Sequence, residues 1–213
     1  MLAVLSAAGT VVIALLLSGD DFIRVFRLSM GTAYTSLALL AATLLIGPWQ
    51  VLRRSANPVS SDLRRDIGIW AAITGMAHVV FGLQVHLPGK TWQYFLWAPD
   101  QPRLIPLRYD LSGGANWTGL ATALILLVLL ALSNDAALRR LGTSRWKALQ
   151  RWNYGGFALM VVHAGIYQFL ERRTAPWIVL FAGIIAVVVW LQVKGWRVQE
   201  AERRAGARRQ GAP

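Results

Sequence analysis

The chain has 213 residues, 55% hydrophobic and 15% charged, with a mean hydropathy of +0.45, and it is far more apolar than an ordinary soluble domain, so the composition predicts an integral membrane protein. The formal net charge of +12 does not point to nucleic acid, because Lys and Arg fall between apolar runs and at the C-terminal end rather than on one amphipathic face. With no cysteine in the chain, disulfides, iron–sulfur clusters and thiolate metal sites are excluded.

A membrane-crossing helix needs about 20 mostly apolar residues. Leu2 to Ser18 is the first candidate. It lacks a basic n-region and an A-x-A cleavage site, so it reads as a retained first span, with a cleaved signal as the lesser alternative. Ser29 to Leu52, Asp66 to Leu87, Ala115 to Leu132, Trp152 to Leu170 and Pro176 to Val193 follow. None alternates as a barrel strand does, and backbone groups in lipid must be satisfied within each segment. The predicted fold is therefore all-α, a bundle of six transmembrane helices, with residues 1–197 as the membrane domain and 198–213 as a basic cytoplasmic tail.

The distribution of positive charge sets the orientation. The segments after spans two and four and the tail hold 15 of the 22 basic residues, among them Arg53, Arg64, Arg65, Arg139, Arg145, Lys147 and Arg203. The opposite segments hold Arg24, Arg27, Lys90, Arg103, Arg108, Arg172 and Arg173, so both termini are expected in the cytoplasm. Asp62 and Asp66 stand among these charges, and a solvated basic cluster is a simpler account of them than pairing with Arg145, Lys147 or Arg151. The longest connection, Pro88 to Gly114, lies outside. Its Trp92, Tyr94, Trp97 and Tyr109 suit the headgroup level, while Pro99, Pro102 and Pro106 preclude a long helix. It reads equally as an aromatic belt and as a partner or quinone site. Trp49, Trp117, Trp146, Trp152, Trp177 and Trp196 near the span ends read as interfacial anchors.

The chain has three histidines, His78, His86 and His163. Spans three and five run in the same direction, from the cytoplasm outward. His78 lies thirteen residues past Arg65 and His163 twelve past Arg151, which places the two imidazoles roughly 20 and 18 Å into the membrane. Two imidazoles at one depth on two helices are what a planar iron cofactor held between axial ligands requires. Gly75 and Gly82 lie on the helical face of His78 and leave room for a porphyrin edge, and Gly155, Gly156 and Gly165 thin span five. The alternative is interhelical hydrogen bonding with glycine-mediated packing, although ionisable residues within a membrane are functional by default. No carboxylate lies near that depth, which disfavours a non-haem metal. His86, about 12 Å farther out, could bond a haem carboxylate, exchange a quinol proton, or be a wetted helix end. No dinucleotide, P-loop or HExxH pattern is present.

The order of "RRxxGxWA" (from Arg64), His78, "RRLGxxRWK" (from Arg139) and His163 resembles bacterial ferric reductase-like transmembrane domain proteins related to the haem-binding membrane subunit of periplasmic methionine sulfoxide reductase systems. The resemblance extends over roughly Gly31 to Tyr167. It implies a multi-pass protein of the bacterial inner membrane that binds b-type haem through iron coordinated by His78 and His163. Its donor would be quinol or a separate reductase, and its acceptor an extracytoplasmic one such as a periplasmic protein. After "RWKxL" the family pattern has a histidine where this chain has Gln150, and an amide is a poor iron ligand, so one haem is expected rather than two. A membrane scaffold or assembly subunit without electron traffic is the contrasting reading, and a transporter is disfavoured because no pair of charges lies near midplane.

Overall fold

The computed structural model describes residues 9–10, 24–54, 59–87, 89–101 and 103–210. Apart from Gly9 and Thr10, the stretch read as the first span lies outside the described residues. Among the described residues from Arg24 onward there are six α-helices: α1 (Arg24–Arg53), α2 (Val59–Gly82), α3 (Leu111–Ala131), α4 (Asp135–Gln150), α5 (Trp152–Leu170) and α6 (Ala175–Gln210). Among the described residues the only extended pairing is one antiparallel bridge, Leu96 with Leu107. Among the described residues three helices, α1, α3 and the part of α6 spanning Ala175–Ala207, are long and apolar enough to cross a membrane.

The interior is built around α1. Its buried Leu37, Leu40, Ala41 and Leu44 follow an i, i+3, i+4, i+7 stripe, and they pack with Ala71 and Ala72 of α2, Leu126 of α3, Phe157 of α5, and Phe181 and Val188 of α6. Small residues bring α1 and α2 close. Ser36 Oγ donates to the Ala71 carbonyl at 2.8 Å, and a Cβ on Gly75 would stand 3.0 Å from Ser36 Oγ.

Pro48 sits within α1 and has no N–H to offer the Leu44 carbonyl four residues back. Gln192 of α6 fills that role, its Nε2 donating to Leu44 O at 2.7 Å. The helices cross tightly there, since a Cβ on Gly195 would lie 2.9 Å from Pro48 Cβ.

The helices α1, α2 and α3 begin four to seven residues earlier than expected, at Arg24, Val59 and Leu111, and three further differences bear on the architecture. The helix expected to run to Leu87 ends at Gly82, six residues before the proline that would bar it from continuing. The Tyr94 hydroxyl intervenes, donating to Gly82 O and accepting from His86 N–H, both at 3.1 Å. The basic connection after α3 is helical rather than a plain loop. In that helix, α4, the Asn134 side chain caps Ala137 N–H at 2.8 Å, Gly142 kinks it at φ 72°, and none of its residues is buried. Finally, α6 continues past Val193 to Gln210.

The outer connection folds into a 3-10 turn (Thr91–Tyr94) and a short hairpin, closed by Trp97 N–H to Pro106 O and Arg108 N–H to Phe95 O. It leads into the Asp110 cap, whose side chain accepts from Gly113 N–H at 2.8 Å. Burial tends to raise the Asp110 pKa, but bonds from the Arg108 guanidinium and Gly113 N–H prevail and hold it below the usual value.

Candidate functional site

His78 of α2 and His163 of α5 face one another, with ring centroids 6.1 Å apart and ring planes at 70°. Each ring is oriented by a backbone carbonyl on a third helix. His78 Nδ1 lies 2.9 Å from Ser29 O and 3.1 Å from Ser29 Oγ on α1, and His163 Nδ1 lies 2.8 Å from Ala115 O on α3. A carbonyl only accepts, so both Nδ1 atoms carry the hydrogen and both Nε2 atoms keep a lone pair. Among the described residues neither Nε2 has a hydrogen-bond partner. An imidazole fixed through Nδ1 to a carbonyl is in the tautomer and orientation that a metal ligand needs.

A mainly apolar cavity of about 260 Å3 opens beside the pair. His78, His163, His86, Gly75 and Gly82 all line it, so the five residues singled out from the sequence come together around one space. Their local roles differ. A Cβ on Gly82 would lie 3.6 Å from His78 Cε1, in ordinary contact with that ring, whereas Gly75 serves the α1–α2 approach and also meets Leu126 Cδ1 at 3.3 Å. Gly156 packs on Ile125 and Gly165 on Phe181. With Gly155, they do not line the cavity.

Sequence reasoning missed Gly119. The His163 ring lies directly against it, and a Cβ there would stand 2.6 Å from Nδ1 and 2.7 Å from Cε1. The place of His163 therefore depends on a missing side chain on a neighbouring helix. Also missed were Tyr167, whose ring tilts against His163 at 5.1 Å, and Asn116, which accepts from Tyr167 Oη at 2.7 Å and donates to Tyr94 O at 2.9 Å. Tyr167 could have been found, since it lies one turn from His163 on the same face. A lone Asn in an apolar helix carries no such signal.

His86 sits off the helix, in the turns after Gly82, at the rim of the cavity. Its Nε2 pairs with Glu171 Oε1 at 2.8 Å, joining the outer end of α2 to that of α5. Gln150 ends α4 away from the cavity, and its Nε2 is buried without a partner among the described residues. On the cytoplasmic side Arg65 pairs with Asp135 at 2.7 Å, and no ion pair joins Asp62 or Asp66 to Arg145, Lys147 or Arg151 among the described residues.

The donor set can be tested against the cofactor implied by the sequence. Among the described residues no group of three or more His, Asp or Glu side chains could hold a metal ion, so the protein offers two imidazoles. Two protein donors suffice where a macrocycle supplies the remaining ligands, as in haem. With ring centroids 6.1 Å apart, His78 and His163 would be the residues to hold such a group, which would supply a one-electron carrier. The residues present fit a bis-imidazole haem.

Comparison with known proteins places the chain in a family. A family model described as ferric reductase like transmembrane component matches residues 30–161, a stretch that includes His78 and Gly119 and ends two residues before His163. The curated "Protein-methionine-sulfoxide reductase heme-binding subunit MsrQ" of Azospira oryzae is 32% identical over 186 residues, 84% of this chain and 68% of that protein. The protein of the same name from Cronobacter sakazakii is 30% identical over 161 residues, or 75% and 72%. No solved structure matches. With most of its length matched in this way, the chain belongs to the ferric reductase-like transmembrane component family.

Proposed function

We propose that this chain is the haem-binding, electron-transferring membrane subunit of a reductase system. In this reading it crosses the bacterial inner membrane six times with both termini in the cytoplasm. It binds one b-type haem per chain and passes electrons from quinol, or from a separate reductase, to a periplasmic acceptor protein. The observation that carries the proposal is the pair of Nδ1-anchored imidazoles 6.1 Å apart beside an apolar cavity. Further support comes from the MsrQ relatives, which are named for haem binding and for protein methionine sulfoxide reduction.

Bound between the imidazoles, the haem would supply a one-electron carrier within the low-dielectric interior. The protein does the rest. Ser29 and Ala115 keep Nε2 of each ligand free of a proton, and the apolar wall excludes water. Tyr167 and Asn116 stiffen the outer side of the His163 ring. The single haem of this reading is supported at the inner level, where Gln150 stands in place of an imidazole and Leu40, Leu44, Ala71 and Phe157 are packed in the interior. Without an inner haem to collect electrons from the cytosol, a donor dissolved in the bilayer is the better match.

Reduced-minus-oxidised absorption spectra of the purified protein test the reading. Sharp bands of low-spin bis-histidine haem are expected, with a pyridine haemochrome ratio of one haem per chain. An empty spectrum would favour the scaffold reading, and two haems per chain would overturn the stoichiometry. Anaerobic mixing with a reduced quinone analogue is expected to reduce the haem, whereas reduction only by a soluble reductase would move the donor to the cytosol.

A further inference from the structure

At the outer mouth of the cavity stands a cation that no carboxylate meets among the described residues. Arg173, in the connection between α5 and α6, lines the cavity. Its guanidinium donates to the thioether of Met30 at 3.1 Å and lies over the Phe26 ring at 5.0 Å. A thioether is a weak acceptor and a ring face binds only softly, so most of the five N–H donors have no strong partner. Burial lowers the Arg173 pKa, opposed by the more distant charge of Glu171. No carboxylate touches Arg173 among the described residues, because Glu171 is engaged by His86. Among the described residues no other arginine lines the cavity, and Arg108 is committed to Asp110 and to Gln93 O. Gln168 adds a second unmatched group. Its Nε2 donates to Tyr34 Oη at 2.9 Å while Oε1 is buried without a partner. A half-turn of this amide keeps the Tyr34 bond, with the phenol donating, and leaves an NH2 donor in that place.

We propose that Arg173 is an anion-binding residue that takes a carboxylate of the ligand seated in the cavity, aided by Gln168. Resting on the functional reading above, the proposal makes that anion a carboxylate on the edge of the haem, which sets the haem with its polar edge outward. A guanidinium fork suits a carboxylate, and a half-buried cation facing an apolar space is costly unless an anion joins it. His86 is held by Glu171 and leaves the site to Arg173.

The test compares two porphyrins on the full-length chain produced in haem-deficient cells: iron protoporphyrin, and its dimethyl ester, which keeps the iron and the ring but lacks both negative charges. Binding is read by spectral titration in detergent. The wild-type chain is expected to prefer the acid form by about tenfold or more. Arg173→Gln is expected to abolish most of that preference while retaining the low-spin bis-histidine spectrum, and Arg173→Lys to keep an intermediate preference. Taking the ratio of the two porphyrins within each variant cancels their different partition into detergent. Equal binding of both by the wild-type chain, or an undiminished preference in Arg173→Gln, would overturn the role of Arg173 and leave the haem reading standing. Failure of the wild-type chain to take up either porphyrin would overturn the haem reading and this inference with it. If Arg173→Gln fails to fold, Arg173→Lys decides: an intermediate preference supports the role of Arg173, and a preference equal to wild type overturns it.

Discussion

The Nδ1 hydrogen of each paired histidine is committed to a carbonyl on another helix, at 2.9 Å for His78 and 2.8 Å for His163, so a change at either ring or at its seat should reach the haem. His78→Ala and His163→Ala are each expected to abolish tight haem binding, and His86→Ala to leave the spectrum largely intact, because His86 is held at the rim by Glu171. Haem content in membranes checks this: a normal amount in either of the first two variants, or a loss in the third, would reassign the ligands. Gly119 permits a cleaner steric test. Ala is favoured over Gly in a helix by up to about 1 kcal/mol, so Gly119→Ala should preserve α3, yet its methyl would displace the His163 ring. Gly114, on the same helix, has open space at its Cβ position. Gly119→Ala is expected to lose or distort the low-spin spectrum while Gly114→Ala retains it, and identical spectra would show that the close approach of α3 to His163 carries no functional weight.

Between elements, the α1–α6 crossing shows how a proline is accommodated in a spanning helix. Pro48 releases the Leu44 carbonyl and Gln192 takes it up at 2.7 Å, meeting the requirement that backbone groups in lipid be satisfied. Gln192→Leu should cost about 1–3 kcal/mol by leaving that carbonyl without a partner. In a Pro48→Ala background, residue 48 regains its N–H and the helix can bond Leu44 by itself, so the same Gln192→Leu change should cost much less. A double-mutant cycle on unfolding in detergent measures the difference; equal costs in the two backgrounds would separate Gln192 from the proline.

Over the whole molecule, α6 is the element that leaves the bundle. Its 36 residues extend about 54 Å, well beyond a hydrocarbon core of about 30 Å. Its last turns carry Arg197, Arg203, Arg204, Arg208 and Arg209, so they suit the same side as the basic helix α4. Reporter fusions are expected to place the C-terminus and α4 in the cytoplasm and the hairpin around Trp97 outside. Periplasmic activity at the C-terminus, with none at the hairpin, would invert the orientation. The Arg65–Asp135 pair between α2 and α4 is exposed, so α4 is held against the bundle only lightly, and ion pairing there adds little stability.

The helices were legible in the sequence because lipid obliges each segment to satisfy its own backbone, so that local apolar runs decide where helices lie. The predicted Trp152 to Leu170 coincides with α5, and Ser29 to Leu52 falls within α1. Residue counts from Arg65 and Arg151 brought His78 and His163 to one level by the same logic, since the rise of a helix is constant. What lay beyond the sequence depends on contacts between segments. Tyr94, twelve residues downstream, helps to end α2 at Gly82 and so takes His86 off the helix. The carbonyls of Ser29 and Ala115 choose the histidine tautomers from helices that carry neither histidine. Gly119 makes room for a ring 44 positions away in the chain. No local pattern encodes these choices, because a carbonyl or an absent side chain acquires its role only when another helix is laid against it.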